Sequence, residues 1–74
     1  MTEIGKRVRE LRERAGLSQH ELAKRAGLTQ GMIWQIEEGR KRPSVASLLA
    51  IARALNVSPS ELLPVVNTKE NPDA

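Results

Sequence analysis

The sequence has no cysteine, tyrosine or phenylalanine, and its single aromatic residue is Trp34. Without cysteine, disulfides and thiolate metal sites are excluded, which fits a reducing cytoplasm. Histidine is nearly absent as well: His20 stands alone, and no second ligand lies at a metal-binding spacing. No metal or other cofactor is expected, and His20 reads as an exposed side chain. Long hydrophobic runs are also missing. The most apolar stretch, Val45 to Leu55, is broken by Ser47 and Arg53, so no membrane span is expected. Lys6, Arg7, Arg9 and Arg12 interrupt the region where the apolar segment of a signal peptide would sit. There is no glycine-rich cradle for a nucleotide, and Ser18 and Ser58 are occupied as helix caps with no base nearby. No cleft-sized domain or catalytic constellation is in view, so an enzyme is not expected. Strand patterns are lacking too, since Val65-Val66 is too short to count, and nothing repeats.

What is present is one small domain. Its 74 residues, 39% of them apolar, allow a modest core. Without covalent staples, such a core depends on helix packing, good caps or oligomerisation. The net charge of +3 and the pI near 10.0 suggest an anionic partner, though the excess alone is modest. Its distribution is more telling. Cations gather at Lys6 to Arg14, at Lys24-Arg25 and at Arg40-Lys41-Arg42, the last directly after Glu37-Glu38.

Five short helices are expected from their end signals. Thr2 can cap a first helix with Ile4, Val8, Leu11 and Ala15 inward and Gly16 as terminator. Ser18 to Glu21 is a capping box, with Leu17 and Leu22 as its staple, and this second helix stops at Gly27. Thr29 caps a third helix running to about Glu38, with Leu28 stapled to Ile33, Ile36 facing inward and Gly39 closing it. Ser44 caps a fourth helix carrying Leu48, Ile51, Ala52 and Leu55, ended by Asn56. Ser58 to Glu61 is a second capping box, Pro59 suits the first helical position, and Pro64 limits the fifth helix to about one turn. The domain is expected to span residues 1–66, with a polar, disordered tail over 67–74.

The second and third helices, with a tight glycine turn between them, meet the requirements of a helix-turn-helix. Ala23 is small where the two would cross, while Leu22, Ala26, Leu28, Ile33 and Ile36 would hold the third helix down. Several segments then match one pattern in order: Leu11-Arg12, Gly16-Leu17-Ser18-Gln19, Glu21-Leu22-Ala23, Ala26-Gly27-Leu28-Thr29, Ile33, Ile36-Glu37, Gly39, Pro43-Ser44 and Ala54 to Ser58. Together they resemble the Cro/CI-like, Xre-type helix-turn-helix regulators over roughly Ile4 to Leu63. The size is similar to restriction-modification controller proteins and small phage repressors.

The resemblance implies an all-α, lambda-repressor-like domain that binds double-stranded DNA, with helix 2 across the backbone and helix 3 in the major groove. It implies that Gln19 contacts phosphate and braces the first recognition residue. Gln30, Gly31, Trp34 and Gln35 would face the bases, with the two glutamine amides suited to adenine. Thr29 begins that helix and joins Gln19, Arg40, Lys41 and Arg42 among the phosphate contacts. Arg12 and Glu37 would form a buried ion pair. Two residues depart from the pattern: Gly31 replaces a longer base-reading side chain, and Trp34 replaces a small or polar one.

Each of these readings has a plainer rival. Trp34 could lie against the domain's own surface, Arg12 and Glu37 could be a solvated pair, and the Arg40 to Arg42 run could merely confer solubility. A homodimer on a palindrome is expected because one such domain reads half a site. Without a separate dimerisation domain, Leu62, Leu63, Val65 and Val66 are the candidate interface. The expected activity is transcriptional regulation, by repression or autoregulation, with no small-molecule ligand. An antitoxin or partner-binding module that keeps the fold is the alternative.

Overall fold

Helix ends determine this architecture, and both kinds of end are written into the sequence. The structure, a computed structural model, describes residues 3–63. Four α-helices follow in order: α1 (Glu3–Arg14), α2 (Gln19–Ala26), α3 (Gln30–Glu37) and α4 (Val45–Leu55). A 3-10 turn, Pro59–Leu62, comes next, and no strand occurs among the described residues. The Thr2 cap, Pro64, Val65, Val66 and the 67–74 tail lie outside the described residues.

At the N-termini, the hydroxyl oxygens of Ser18, Thr29 and Ser44 accept from the amides of Glu21, Met32 and Ser47. Each such cap contributes about 1 kcal/mol by satisfying a donor that the helix leaves open. At the C-termini one arrangement recurs four times. Gly16, Gly27, Gly39 and Asn56 all take positive φ, between 59° and 78°. Each donates its amide to the carbonyl three residues back, and the next residue donates five back: Leu17 to Arg12, Leu28 to Ala23, Arg40 to Gln35 and Val57 to Ala52. This double closure absorbs carbonyls that would otherwise be left without partners.

The Ser18 capping box is closed from both sides, since the Ser18 amide also donates to Glu21 Oε1 at 2.9 Å. That backbone hydrogen bond, helped by the Ser18 hydroxyl, holds the Glu21 carboxyl below its usual value. A carboxyl depressed on folding stabilises the fold above its unfolded pKa and loses that effect as pH falls through the folded one. Glu21→Gln keeps the acceptor but not the charge. The variant is expected to unfold at a lower temperature than wild type at pH 7, with the gap closing on acidification below the usual carboxylate range. A gap of constant size across that titration would contradict the capping role of the charge.

The core draws on every element. Val8 and Leu11 of α1, Leu22 and Ala23 of α2, Ile33 and Ile36 of α3, and Ile51, Ala52 and Leu55 of α4 are buried together with Leu17 and Leu62. Full burial of each large aliphatic chain contributes roughly 1.5–3 kcal/mol. α2 packs chiefly against α3 and α4, while α1 lies across α3 and reaches the 3-10 turn. Arg7 ties down that last contact by donating through Nε to the Glu61 carbonyl at 2.9 Å.

Some expectations change here. The fifth helix is 3-10 rather than α, because its closing bonds run from Glu61 to Ser58 and from Leu63 to Ser60, three residues apart. Leu62, expected at a dimer surface, is fully buried and belongs to the core. The shortness of the turn forces this, since a single turn has one inward apolar position and Leu62 fills it. Ala15 is exposed beyond the end of α1, and Leu17 takes the inward place. The third helix ends at Glu37, with Glu38 as its cap.

Candidate nucleic-acid interface

α3 has two unlike sides. Ile33, Ile36 and Glu37 point into the domain, and Met32 is half-buried. Gln30, Gly31, Trp34 and Gln35 are exposed. Residues four apart on a helix stand one above the other, so Gln30 aligns with Trp34 and Gly31 with Gln35. The four residues expected to face the bases therefore form one continuous outward face. The turn that delivers α3 is tight, with Gly27 at φ 71° and the Leu28 amide closed onto the Ala23 carbonyl at 2.8 Å. Ala23 itself is buried.

What fixes α3 against the rest of the domain is a carboxylate. Glu37 is 1% exposed, yet it accepts three hydrogen bonds. Arg12 donates through Nε to Oε2 at 2.7 Å and through Nη2 to Oε1 at 3.1 Å, and Gln19 donates through Nε2 to Oε1 at 3.1 Å. Arg12 also reaches the Leu17 carbonyl with Nη1 at 2.8 Å. One residue of α3 is thereby joined to α1, to the loop after it and to the start of α2. The Glu37 hydrogen bond raises the Arg12 pKa above its ordinary value, against the opposing effect of burial. Arg12 thus stays charged at any working pH. Among the described residues no buried side-chain nitrogen or oxygen lacks a partner.

The phosphate-facing candidates are distributed around this face. Thr29 is exposed, and its Oγ1 accepts from the Met32 amide at 3.1 Å, which leaves the hydroxyl proton free to donate. Gln19 is half-buried and braces Glu37 at the far end of α3, not the first recognition residue. The reason is local: the Glu37 carboxylate is a stronger acceptor than a neutral side chain, and it lies within reach. Arg40, Lys41 and Arg42 are exposed, and the Arg40 and Lys41 amides both donate to the Gln35 carbonyl, at 2.8 and 3.2 Å. The cationic loop is therefore anchored at the end of α3. Trp34 is 42% exposed, and the Arg40 guanidinium carbon stands 5.2 Å from its ring centroid.

Three features escaped the sequence reading. The Gln19 bond to Glu37 and the Arg40 stack on Trp34 join residues that were singled out separately. The third is Gly5. It is buried where α1 crosses the end of α3, and an ideal Cβ there would stand 2.7 Å from the Glu37 carbonyl oxygen and would also overlap that of Ile36. The available signal was a glycine inside a helix with no turn to make, which is costly unless another backbone needs the room.

Among the described residues no group of three or more His, Asp or Glu could hold a metal ion, and no helix is long and apolar enough to cross a membrane.

Known proteins are similar to this chain in sequence and fold. The HTH_3 helix-turn-helix family matches residues 8–62. An uncharacterized HTH-type transcriptional regulator of Sinorhizobium fredii, y4dJ, is 39% identical over 69 residues, covering 93% of this chain and 87% of its own. Another from that organism, y4dL, is 42% identical over 67 residues, and there this chain spans only 34% of the relative's length. Among solved structures, the restriction-modification controller protein C.AhdI from Aeromonas hydrophila superposes with a TM-score of 0.81 at 39% identity, covering 82% of this chain and 92% of that one. The P22 c2 repressor in complex with synthetic operator 9T gives a TM-score of 0.78 at 33% identity, over 85% and 96% of the two chains. The all-α, lambda-repressor-like fold, the α2–turn–α3 unit and the match over most of its length lead to one statement: this chain belongs to the HTH_3 family of Xre/Cro/CI-type helix-turn-helix transcriptional regulators, a family of regulators and not of enzymes.

Proposed function

We infer that this chain binds double-stranded DNA sequence-specifically, as a homodimer on a palindromic operator, and that it represses or autoregulates transcription in the cytoplasm. The observation that carries this reading is the exposed face of α3, Gln30, Gly31, Trp34 and Gln35, with the Arg40 to Arg42 loop anchored at its end. A helix of this kind fits the major groove, where glutamine amides can donate to and accept from adenine. The basic loop and Gln19 and Thr29 supply phosphate contacts that set the register. The operator complex of the similar P22 c2 repressor supports the same docking.

Dimerisation follows from how little one domain reads. Two α3 helices about 34 Å apart would meet successive major-groove faces of one duplex. With Leu62 committed to the core, the apolar residues that favour association are Leu63 together with Val45 and Leu49, which lie one turn apart on α4 and are 74% and 46% exposed. Val65 and Val66 extend the candidate set beyond the described residues.

Selection of binding sites from a random double-stranded library, at about physiological salt, tests the whole reading. The expected product is a palindrome whose half-sites are centred about one helical turn apart. Leu49→Asp is expected to weaken binding to that palindrome more than tenfold while leaving the thermal midpoint nearly unchanged. A single ungapped site would remove the dimer, and enrichment of nothing would shift the weight to a partner-binding role.

A further inference from the structure

Three of the four helix ends share more than backbone geometry. After Gly16, Gly27 and Asn56, the residue whose amide closes the end is Leu17, Leu28 or Val57, and each packs its side chain against the core. α3 closes in the same way through Gly39, yet the equivalent residue is Arg40. This closure brings that residue against side chains in the helix's last turn. In α3 the side chain it meets is Trp34, and the contact is a guanidinium on an aromatic face at 5.2 Å.

The geometry points to Trp34 as a positioning residue that holds the Arg40 guanidinium for a backbone phosphate beside the groove entered by α3. The inference rests on the DNA-binding reading above. Trp34 lies on the same outward face as Gln30, so the stack sits at the rim of the recognition surface and not behind it. An arginine on an exposed loop has many rotamers to lose on binding, and a ring that already confines it reduces that loss. Stacking occupies the flat face of the guanidinium and leaves the in-plane N–H donors at its edge for an anion. Among the described residues no salt bridge competes for them: Glu37 is engaged by Arg12, and Arg40 has no ion-pair partner there. The same closure that packs an aliphatic side chain against the core at the other helix ends here presents a cation.

The test measures affinity against salt on a duplex recovered by the selection described above, for wild type, Arg40→Ala, Trp34→Ala, Trp34→Phe and the double alanine variant. Loss of one phosphate contact flattens the slope of log K against log salt by about 0.9, so Arg40→Ala should lose about 3.5-fold less affinity than wild type between 50 and 200 mM salt. Trp34→Ala is expected to flatten the slope in the same direction, Trp34→Phe to restore most of it, and the double variant to match Arg40→Ala alone. A wild-type slope in Trp34→Ala, or losses from the two single variants that simply add, would overturn the positioning role and leave Trp34 as an independent contact. Because Trp34 is the only tryptophan, its emission in the free protein should also change in Arg40→Ala, and unchanged emission would sink the stack itself. If the selection recovers no duplex with the wild-type protein, the DNA reading fails first and takes this inference with it.

Discussion

Glu37→Ala is expected to lose about 3–5 kcal/mol of stability, the usual effect of breaking a buried ion pair from one side. For a domain of this size that lowers the unfolding midpoint by more than about 10 °C. The magnitude follows from what the change leaves behind. Arg12, with its side chain only 11% exposed, would keep its charge and lose two hydrogen bonds, and Gln19 would lose its acceptor. Glu37→Gln, which retains the shape and one oxygen but not the charge, should fall between wild type and the alanine variant. Replacing both partners, Arg12→Met with Glu37→Leu, should recover stability relative to either single change, because no lone buried charge remains. Urea and thermal unfolding of wild type, these variants and the Arg12→Met and Glu37→Leu single changes would decide the matter. A Glu37→Ala protein that melts within about 5 °C of wild type would show the pair to be worth no more than a surface one.

The second large effect comes from the least conspicuous residue of α1. Alanine exceeds glycine in helix propensity by about 0.8–1.0 kcal/mol, so on propensity alone Gly5→Ala should stabilise. Packing reverses the sign. The added methyl would meet two backbone carbonyls at the end of α3, which cannot turn aside as a flexible side chain would. Relieving that overlap means lifting α1 from α3 and straining the Arg12–Glu37 geometry two turns further along, a cost of roughly 1–3 kcal/mol or more. Gly31→Ala is the matched control. It also lies in a helix, but an added Cβ there meets nothing within 4 Å. Gly31→Ala should therefore raise stability by about 0.5–1 kcal/mol while Gly5→Ala lowers it. Equal effects of the two, of either sign, would show that the contact between α1 and α3 does not constrain the fold.

The contrast between those glycines also explains what could be read from the chain beforehand. Ends were legible because their physics is local. Ser18, Thr29, Ser44, Gly16, Gly27, Gly39 and Asn56 act on backbone groups within six residues, so their types and spacing carry the message. The outward face of α3 was legible for a similar reason, since Ile33 and Ile36 fix the inward side and helical periodicity supplies the rest. Gly5 acts on a backbone more than thirty positions away, and no local rule points there. The resemblance gives Gln19 a neighbour on α3, but which acceptor it meets depends on how α2 crosses α3, and that places Glu37 within reach. Leu62 was not legible as core, because an apolar residue in a one-turn helix looks spare until the other elements close over it. The fifth helix became a 3-10 turn on equally narrow grounds, since four residues form three-apart bonds more easily than a full α-helical turn.

The division of α3 into two sides also bears on how such a protein can change over time. The residues that hold α3 in place, Ile33, Ile36 and Glu37, are not the ones that face outward, and Gln30, Gly31 and Gln35 contribute nothing to the core. Proteins sit close to the stability below which function is lost, so most new traits arrive with a folding cost that must be offset elsewhere. At these three positions the packing part of that coupling is absent. On the proposed DNA-binding reading, a descendant could exchange them at no packing cost, with only helix propensity moving its stability, and acquire a different target. Trp34 is the exception, because altering it also releases Arg40. If the proposed interface is the one that reads DNA, divergence of target preference in such a lineage would pass first through positions 30, 31 and 35.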